Sequence, residues 1–249
     1  MGVGASSSLL RLALIILLLG LSWLGESLGW RDDPVKENHP AVLLLSILND
    51  VFKSVGWLLS AICWALLLVT RYWRQVRLEE NASWRRHAAV DGVLWALSSF
   101  YWAACVYFAF GHIAQNIGSC RLAGESWKES QVDEAQCADA GGQWTAMDVS
   151  GHAFLASLAI LLLTEETIRW LTGPINLFIF PSHRMDYKTR RAKLAWYFAV
   201  GISWAVTSLW MVLYIRTALW YHTLEEKVMG TALATLYYSV LLTTRLLLR

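Results

Sequence analysis

Two short segments of this chain contain the residue types that phosphoryl transfer requires. The first is Ser150-Gly151-His152, which brings a hydroxyl, an unhindered backbone amide and an imidazole within three residues. A helix N-terminus can bind a phosphate, and an imidazole can move protons near neutral pH. Asp148, just before this segment, has the right type and position for an N-cap. Taken alone, the segment is also typical of a capped helix whose polar start faces water.

The second segment contains Arg216, His222 and Glu226, with five residues between the first two and three between the last two. His222 could act as the nucleophile and Glu226 could orient it, while His152 donates a proton to the leaving oxygen. The equatorial oxygens of the phosphoryl group could be stabilised by Arg216, Ser150 and the Gly151 amide. The alternative is that the two segments are unrelated: a lumenal histidine, and separately a surface Arg–Glu set at a loop.

Neither segment predicts a metal or a cofactor. The chain has no carboxylate cluster with magnesium-site spacing and no Cys/His set with zinc spacing. A net charge of +2 without a basic, aromatic-interleaved patch gives no indication of nucleic-acid binding. We therefore expect metal-independent chemistry.

The elements that must position these residues are hydrophobic helices. Of 249 residues, 56% are hydrophobic and 16% charged, and long apolar runs alternate with short charged clusters. Many of the 15 tryptophans lie near the ends of these runs, as in aromatic belts. The sequence predicts an all-α integral membrane protein with one polytopic domain, residues 1–249. Its six predicted transmembrane helices are 9–24, 51–70, 89–110, 152–171, 194–215 and 229–248.

Loop charges predict the orientation. Loops 71–87 and 182–193 each carry five Lys or Arg residues, so we place them and both termini in the cytosol. The loops 25–50, 111–150 and 216–228 then lie on the lumenal or extracellular side. His152 and His222 therefore share a side and a depth. The sequon at Asn81 falls in a cytosolic loop and is expected to remain unglycosylated.

Ionisable residues also occur within the predicted spans. Glu165 and Arg169 are four residues apart and are expected to pair on one helix face. Glu166 lies beside them, and Asp91 lies near the start of the third span. We expect these residues to anchor at the interface, although ionisable groups inside a span are also functional candidates.

Two cysteines share the loop 111–150. If the loop is in an oxidising compartment, Cys120 and Cys137 are disulfide candidates. The closed loop would contribute roughly 3 kcal/mol through the entropy of the unfolded chain. Cys63 and Cys105 lie in spans and are expected to be packing residues.

The two histidine segments resemble the second and third signature motifs of the lipid phosphate phosphatase superfamily. The superfamily pattern is Ser-Gly-His, then Ser-Arg, five residues, His, three residues and Asp. This chain has Ile215 before Arg216 in place of the Ser, and Glu226 in place of the Asp. The first superfamily motif, a Lys with six residues before Arg-Pro, has no convincing match, and Arg121 and Lys128 are candidate substitutes for that phosphate clamp.

A closer resemblance is to the fat-storage-inducing transmembrane (FIT) family, over about residues 40–248. It rests on the six-span layout and on four matching segments: Gly118-Ser119-Cys120, Cys137 with 141–144, 148–154 and 221–230. The resemblance implies an endoplasmic reticulum enzyme that hydrolyses the diphosphate of fatty acyl-CoA on the lumenal side. The products would be acyl 4′-phosphopantetheine and adenosine 3′,5′-bisphosphate, in support of lipid droplet formation and membrane homeostasis. The catalytic histidines of the family correspond to His152 and His222.

The leading prediction is thus an acyl-CoA diphosphatase that forms a phosphohistidine on His222, with fatty acyl-CoA and membrane lipids as partners. One alternative keeps the chemistry and changes the substrate to phosphatidic or lysophosphatidic acid. A second alternative is a non-catalytic protein that binds diacylglycerol or triacylglycerol and delivers it to droplets. A transporter is disfavoured because no repeat or broken-helix pair is evident.

Overall fold

The computed structural model describes residues 3–28, 47, 55–70, 83–116, 118–121, 133–146, 149–172 and 187–248. These residues form a helical bundle with one two-stranded sheet at one end. The helices are α1 Val3–Ser27, α2 Val55–Thr70, α3 Ser83–Ala104, α4 Phe110–Asn116, α5 Glu134–Asp139, α6 Gly151–Thr172, α7 Tyr187–Trp220 and α8 Leu224–Leu247; the strands are β1 Gly118–Arg121 and β2 Gln143–Ala146.

Four described segments are long and apolar enough to cross a membrane, and each contains most or all of one predicted span. They are Ser8–Ser27, Arg86–Asn116, Gly151–Arg169 and Leu194–Trp220. Helix α2 is apolar but shorter, and residues 51–54 of its predicted span lie outside the described residues. Helix α8, which contains most of the predicted span 229–248, is not among the four because its threonines, tyrosines and charged residues lower its hydropathy. The chain is therefore a multi-pass helical membrane protein.

Helix α6 is the centre of the bundle. Every residue from Ala153 to Leu163 is buried, and the helix packs against α1, α7 and α8. The outer helices instead expose large apolar side chains, including Leu9, Phe108 and Phe198. Exposed apolar surface on this scale fits lipid contact.

The loop 111–150 has more structure than the sequence predicted. Helix α3 continues through a π-helical turn, Cys105–Ala109, into α4. Strands β1 and β2 then pair antiparallel, with Gly118 opposite Ala146. The predicted disulfide between Cys120 and Cys137 is present, and the Trp144 Nε1 donates to the carbonyl of Ala114 at 3.0 Å. The described structure is otherwise helical, in keeping with the predicted all-α class, and this short strand pair was not predicted from the sequence.

The predicted pairing of Glu165 with Arg169 is wrong. The Glu165 carboxylate instead accepts a hydrogen bond from Nε of Arg11 on α1 at 2.7 Å and one from the Tyr238 hydroxyl at 2.9 Å. Arg169 pairs with Glu166, three residues earlier, at 2.8 Å. Both glutamates are at most 3% exposed, so they are buried between helices and do not anchor at the interface.

A second correction concerns Asp91, which is buried and does not reach the interface. Its carboxylate lies 3.3 Å from Arg169 Nη2 and 3.2 Å from Arg245 Nη2, and Arg245 Nη2 is also 2.7 Å from Glu166. We call these four residues, two acidic and two basic, the ion-pair cluster. It joins α3, α6 and α8 about 21 Å along α6 from His152.

Candidate functional site

The structure brings the two histidine segments together. The His152 and His222 ring centroids are 6.3 Å apart, and the ring planes are inclined by 41°. The backbone also joins the segments, because the Ser150 amide donates to the Glu226 carbonyl at 3.2 Å. Two segments about seventy residues apart in sequence therefore form one site, where the N-termini of α6 and α8 lie side by side.

Close packing of α6 on α8 depends on Gly230. A Cβ at this position would lie 2.6 Å from the Ser150 carbonyl oxygen and 3.0 Å from the Phe154 amide nitrogen. A side chain there would push the start of α6 away from α8. Glycine thus sets the separation of the two helix N-termini and of the histidines that they carry.

The α6 N-terminus is capped by Ser150. Its Oγ accepts a hydrogen bond from the Ala153 amide at 3.2 Å, the contact expected of an N-cap residue. Asp148, the predicted cap, lies outside the described residues, and the helix begins too late for it to hold that position. Ser150 is fully buried, and its capping contact holds the start of α6 in place. Gly151 and His152, the next two residues, are partly exposed.

His222 lies in a tight turn between α7 and α8. Its φ of 62° is in the left-handed region, which non-glycine residues rarely occupy. The following residue, Thr223, caps α8 with a capping box: its hydroxyl accepts from the Glu226 amide at 3.3 Å, and the Glu226 carboxylate accepts from the Thr223 amide at 2.7 Å. These contacts hold the strained turn in one conformation.

The Glu226 carboxylate also faces the imidazole of His222. Oε2 lies 3.4 Å from Nδ1, while both side chains remain partly exposed. This arrangement favours the tautomer with the proton on Nδ1, so the lone pair on Nε2 is available for bond formation. The separation exceeds that of a strong hydrogen bond, and such contacts often shorten when substrate binds.

Arg216 lies deeper, near the end of α7. It is 4% exposed, and its Nη2 donates to the Tyr221 hydroxyl at 2.5 Å. The guanidinium carbon also lies 5.0 Å from the Tyr221 ring centroid. The phenol of the residue before His222 thus holds the predicted phosphate-binding arginine.

Sequence reasoning did not identify Thr223, Tyr221, Gly230 or Lys227, all of which the structure places at or behind the site. A signal existed for Thr223, because Thr-x-x-Glu before a helix is the capping-box pattern. The roles of Tyr221, Gly230 and Lys227 depend on tertiary packing, which the sequence pattern does not show. The two proposed clamp substitutes remain untested, since Lys128 and the side chain of Arg121 lie outside the described residues.

Among the described residues, no group of three or more His, Cys, Asp or Glu is arranged to hold a metal. The site instead offers two imidazoles beside the positive ends of two helix dipoles. An anion is favoured in such a position, and a phosphoryl group fits the chemistry of the two imidazoles. Fold and site together define a multi-pass helical membrane protein with two neighbouring histidines beside two helix N-termini at one end of its bundle.

Sequence comparison identifies the family. The model of the family described as "Fat storage-inducing transmembrane protein" matches residues 45–242, and the chain belongs to this family. The matched region includes both histidine segments, the β1–β2 strand pair and the Cys120–Cys137 disulfide, but not α1.

Curated relatives share this region. A Xenopus laevis protein is 29% identical over 185 residues, which cover 72% of this chain and 64% of the relative. A human protein is 29% identical over 132 residues, 52% and 46% of the respective chains, and a Caenorhabditis elegans protein is 26% identical over 201 residues, 78% and 65%. Each is named acyl-coenzyme A diphosphatase FITM2, and the chain spans less than two thirds of the length of each. No solved structure matches.

Proposed function

We propose that this protein is a fatty acyl-CoA diphosphatase that uses His222 as nucleophile and His152 as general acid and base. The observation that carries the proposal is the pairing of the two imidazoles, 6.3 Å apart, beside two helix N-termini. The names of the curated relatives support the choice of substrate. The products are acyl 4′-phosphopantetheine and adenosine 3′,5′-bisphosphate.

In the first step, Nε2 of His222 attacks one phosphorus of the diphosphate. A P–N bond forms as the bridging P–O bond breaks, and protonated His152 gives its proton to the leaving oxygen. Glu226 stabilises the positive charge that develops on the His222 ring, because its carboxylate faces Nδ1 at 3.4 Å. The N-terminus of α6 stabilises the phosphoryl oxygens.

In the second step, water attacks the phosphohistidine. His152, now neutral, accepts a proton from the water as the P–N bond breaks, which returns both histidines to their starting states. One water molecule is consumed for each diphosphate that is cleaved. Arg216 and the Gly151 amide are assigned to the equatorial oxygens, whereas Ser150 positions the helix start.

We assign the active site to the lumenal side of the endoplasmic reticulum membrane, with six spans, both termini in the cytosol and a role in lipid droplet formation. Both histidines lie at the same end of α6 and α8, and the charge of the arginine-rich loops 71–87 and 182–193 favours the cytosol for those loops. The orientation is tested by glycosylation: a sequon inserted in loop 122–132 should be glycosylated, whereas Asn81 should not. Modification of Asn81 alone would reverse the assignment.

The reaction is tested with purified protein and oleoyl-CoA, by mass-spectrometric detection of both products. His222→Ala should remove the covalent step and lower kcat at least 10³-fold. His112→Ala is the matched control, because His112 is exposed on α4 and outside the site. Turnover by His222→Ala protein at the wild-type rate would overturn the mechanism.

Two further measurements, substrate preference of the purified protein and droplet formation in cells, separate the alternatives. Phosphatidic or lysophosphatidic acid hydrolysed in preference to oleoyl-CoA would keep the histidine chemistry and change the substrate. Droplet formation that survives the double substitution of His152 and His222 by Ala would favour a non-catalytic protein that binds diacylglycerol or triacylglycerol.

A further inference from the structure

Two other helices contact the carbonyl oxygen of Ala218, which lies four residues before His222. In an uninterrupted helix this carbonyl would accept from the amide of residue 222. The chain instead leaves the helix at His222, and Nζ of Lys227 donates to the Ala218 carbonyl at 2.9 Å. Lys227, on α8, is therefore bonded to Ala218, on α7, across the turn that contains His222.

The last turn of α1 contacts the same carbonyl. A methyl group on Gly25 would overlap the Ala218 carbonyl oxygen, so α1 can pass this point only with glycine there. The next residue, Glu26, has its carboxylate 3.7 Å from Nζ of Lys227. Three helices thus meet four residues before the proposed nucleophile.

A hydroxyl network fastens α1 to the same two helices one turn further along. The Tyr214 hydroxyl of α7 donates to the Leu18 carbonyl at 2.7 Å and lies 2.9 Å from the hydroxyls of both Ser22 and Thr231. Ser22, Tyr214 and Thr231 are fully buried. The end of α1 is therefore held rigidly against α7 and α8.

We infer that the last turn of α1, through Gly25, Glu26 and Lys227, positions the His222 turn for catalysis. The inference rests on the proposed function and adds to it, since α1 lies outside the segment that defines the family. Lys227 is 2% exposed, so its ammonium is held by these partners and is not a solvated surface charge. It is a positioning residue, because it acts on His222 through the Ala218 carbonyl.

The activity test pairs two glycines of the same helix. Gly25→Ala should displace α1 from Ala218 and lower kcat by about 10- to 100-fold while KM changes little, because a misplaced nucleophile slows chemistry more than binding. Gly20→Ala is the matched control, since nothing lies within 4 Å of a Cβ there. Lys227→Met should reproduce the Gly25→Ala effect, and Lys227→Arg should restore part of the lost activity.

A second readout separates positioning from general stability. Ser22→Ala removes a hydroxyl from the network and should lower the melting temperature while kcat stays near wild type. If Lys227→Met, like Ser22→Ala, lowers activity only in proportion to the fraction of unfolded protein, the contact is structural and the inference is overturned.

The third readout needs no substrate. Diethyl pyrocarbonate modifies neutral imidazoles, and mass spectrometry resolves each histidine. His222 should be modified faster in Lys227→Met and Gly25→Ala proteins, because the turn is loosened, with His112 unchanged as internal reference. Wild-type modification and kcat in both variants would overturn the inference. Faster modification in a protein that does not hydrolyse oleoyl-CoA would support the positioning role and count only against the proposed substrate.

Discussion

The two ends of the α6–α8 pair hold ionisable side chains in opposite ways. At one end, the ion-pair cluster of Asp91, Glu166, Arg169 and Arg245 joins α3, α6 and α8 with N–O distances of 2.7–3.3 Å and side chains at most 7% exposed. At the other end, His222 and Glu226 are 3.4 Å apart, with side chains 22% and 17% exposed. The same two helices therefore carry a buried cluster of paired charges at one end and a partly exposed His–Glu pair at the other, which we call the open end.

This difference supports the proposal that the histidine end performs the chemistry. In the ion-pair cluster each charge is already neutralised by a partner, so the cluster holds helices together inside the membrane. At the histidine end the carboxylate faces one ring nitrogen, and the other ring nitrogen can bond to substrate. Burial with paired charges favours stability, whereas partial exposure with one oriented partner favours catalysis.

The largest stability effect is expected in the ion-pair cluster. Arg169→Ala would leave Asp91 and Glu166 with Arg245 as their cluster cation, and one uncompensated buried carboxylate should cost about 3–5 kcal/mol in the free energy of unfolding. Thermal or denaturant unfolding in detergent measures this change. The kcat per folded molecule should be unchanged.

Arg191→Ala is the control for this prediction, because Arg191 is exposed on α7. If Arg169→Ala protein is as stable as wild type but inactive, the two ends do not divide stability and catalysis as we describe.

At the histidine end, Glu226→Gln should affect catalysis more than stability. The amide oxygen of glutamine can still accept from the Thr223 amide, so the cap is retained while the negative charge beside His222 is lost. We expect kcat to fall on the order of 10²-fold, because the imidazolium that develops is no longer neutralised.

Glu225→Gln supplies the matched control, since Glu225 is the neighbouring exposed residue in the same helical turn. Wild-type kcat in Glu226→Gln protein would mean that Glu226 serves only as a cap.

The sequence predicted the convergence of His152 and His222 because charge bias placed both at one side and one depth. It also predicted the Cys120–Cys137 pair, since both cysteines share one loop. Spacing could not predict the partner of Glu165, because Arg11 lies on a helix about 150 residues away and only packing brings them together.

The N-cap of α6 was predicted two residues too early, at Asp148 instead of Ser150. Asp148 and Ser150 are both suitable N-cap types, and the choice depends on where the helix starts, which sequence places only to within a few residues. Likewise, Glu226 was assigned a single role from spacing. The structure shows that its carboxylate serves the Thr223 amide and the His222 ring together, which links fold and site.

A smaller effect is expected from Gly230→Ala, which tests how closely the helix N-termini must approach. The added methyl group meets the Ser150 carbonyl at 2.6 Å, and such overpacking should cost about 1–3 kcal/mol, partly offset by the better helix propensity of alanine. The histidines should move apart, so kcat should fall as well. Gly201→Ala, with nothing within 4 Å, should be neutral or slightly stabilising.

The smallest effect is expected from Thr223→Ala, which removes half of the capping box. The loss of one N-cap hydroxyl should cost about 1 kcal/mol in the free energy of unfolding. The turn at His222, with its strained φ, is then held by one fewer hydrogen bond, so kcat should fall modestly. Arg169→Ala, by contrast, should leave kcat unchanged. Thr243→Ala, an exposed position within α8, is the control. Equal kcat in the Thr223 and Thr243 variants would show that the Glu226 carboxylate alone holds the His222 turn. The residues that matter for catalysis at this end of the bundle would then be His152, His222 and Glu226.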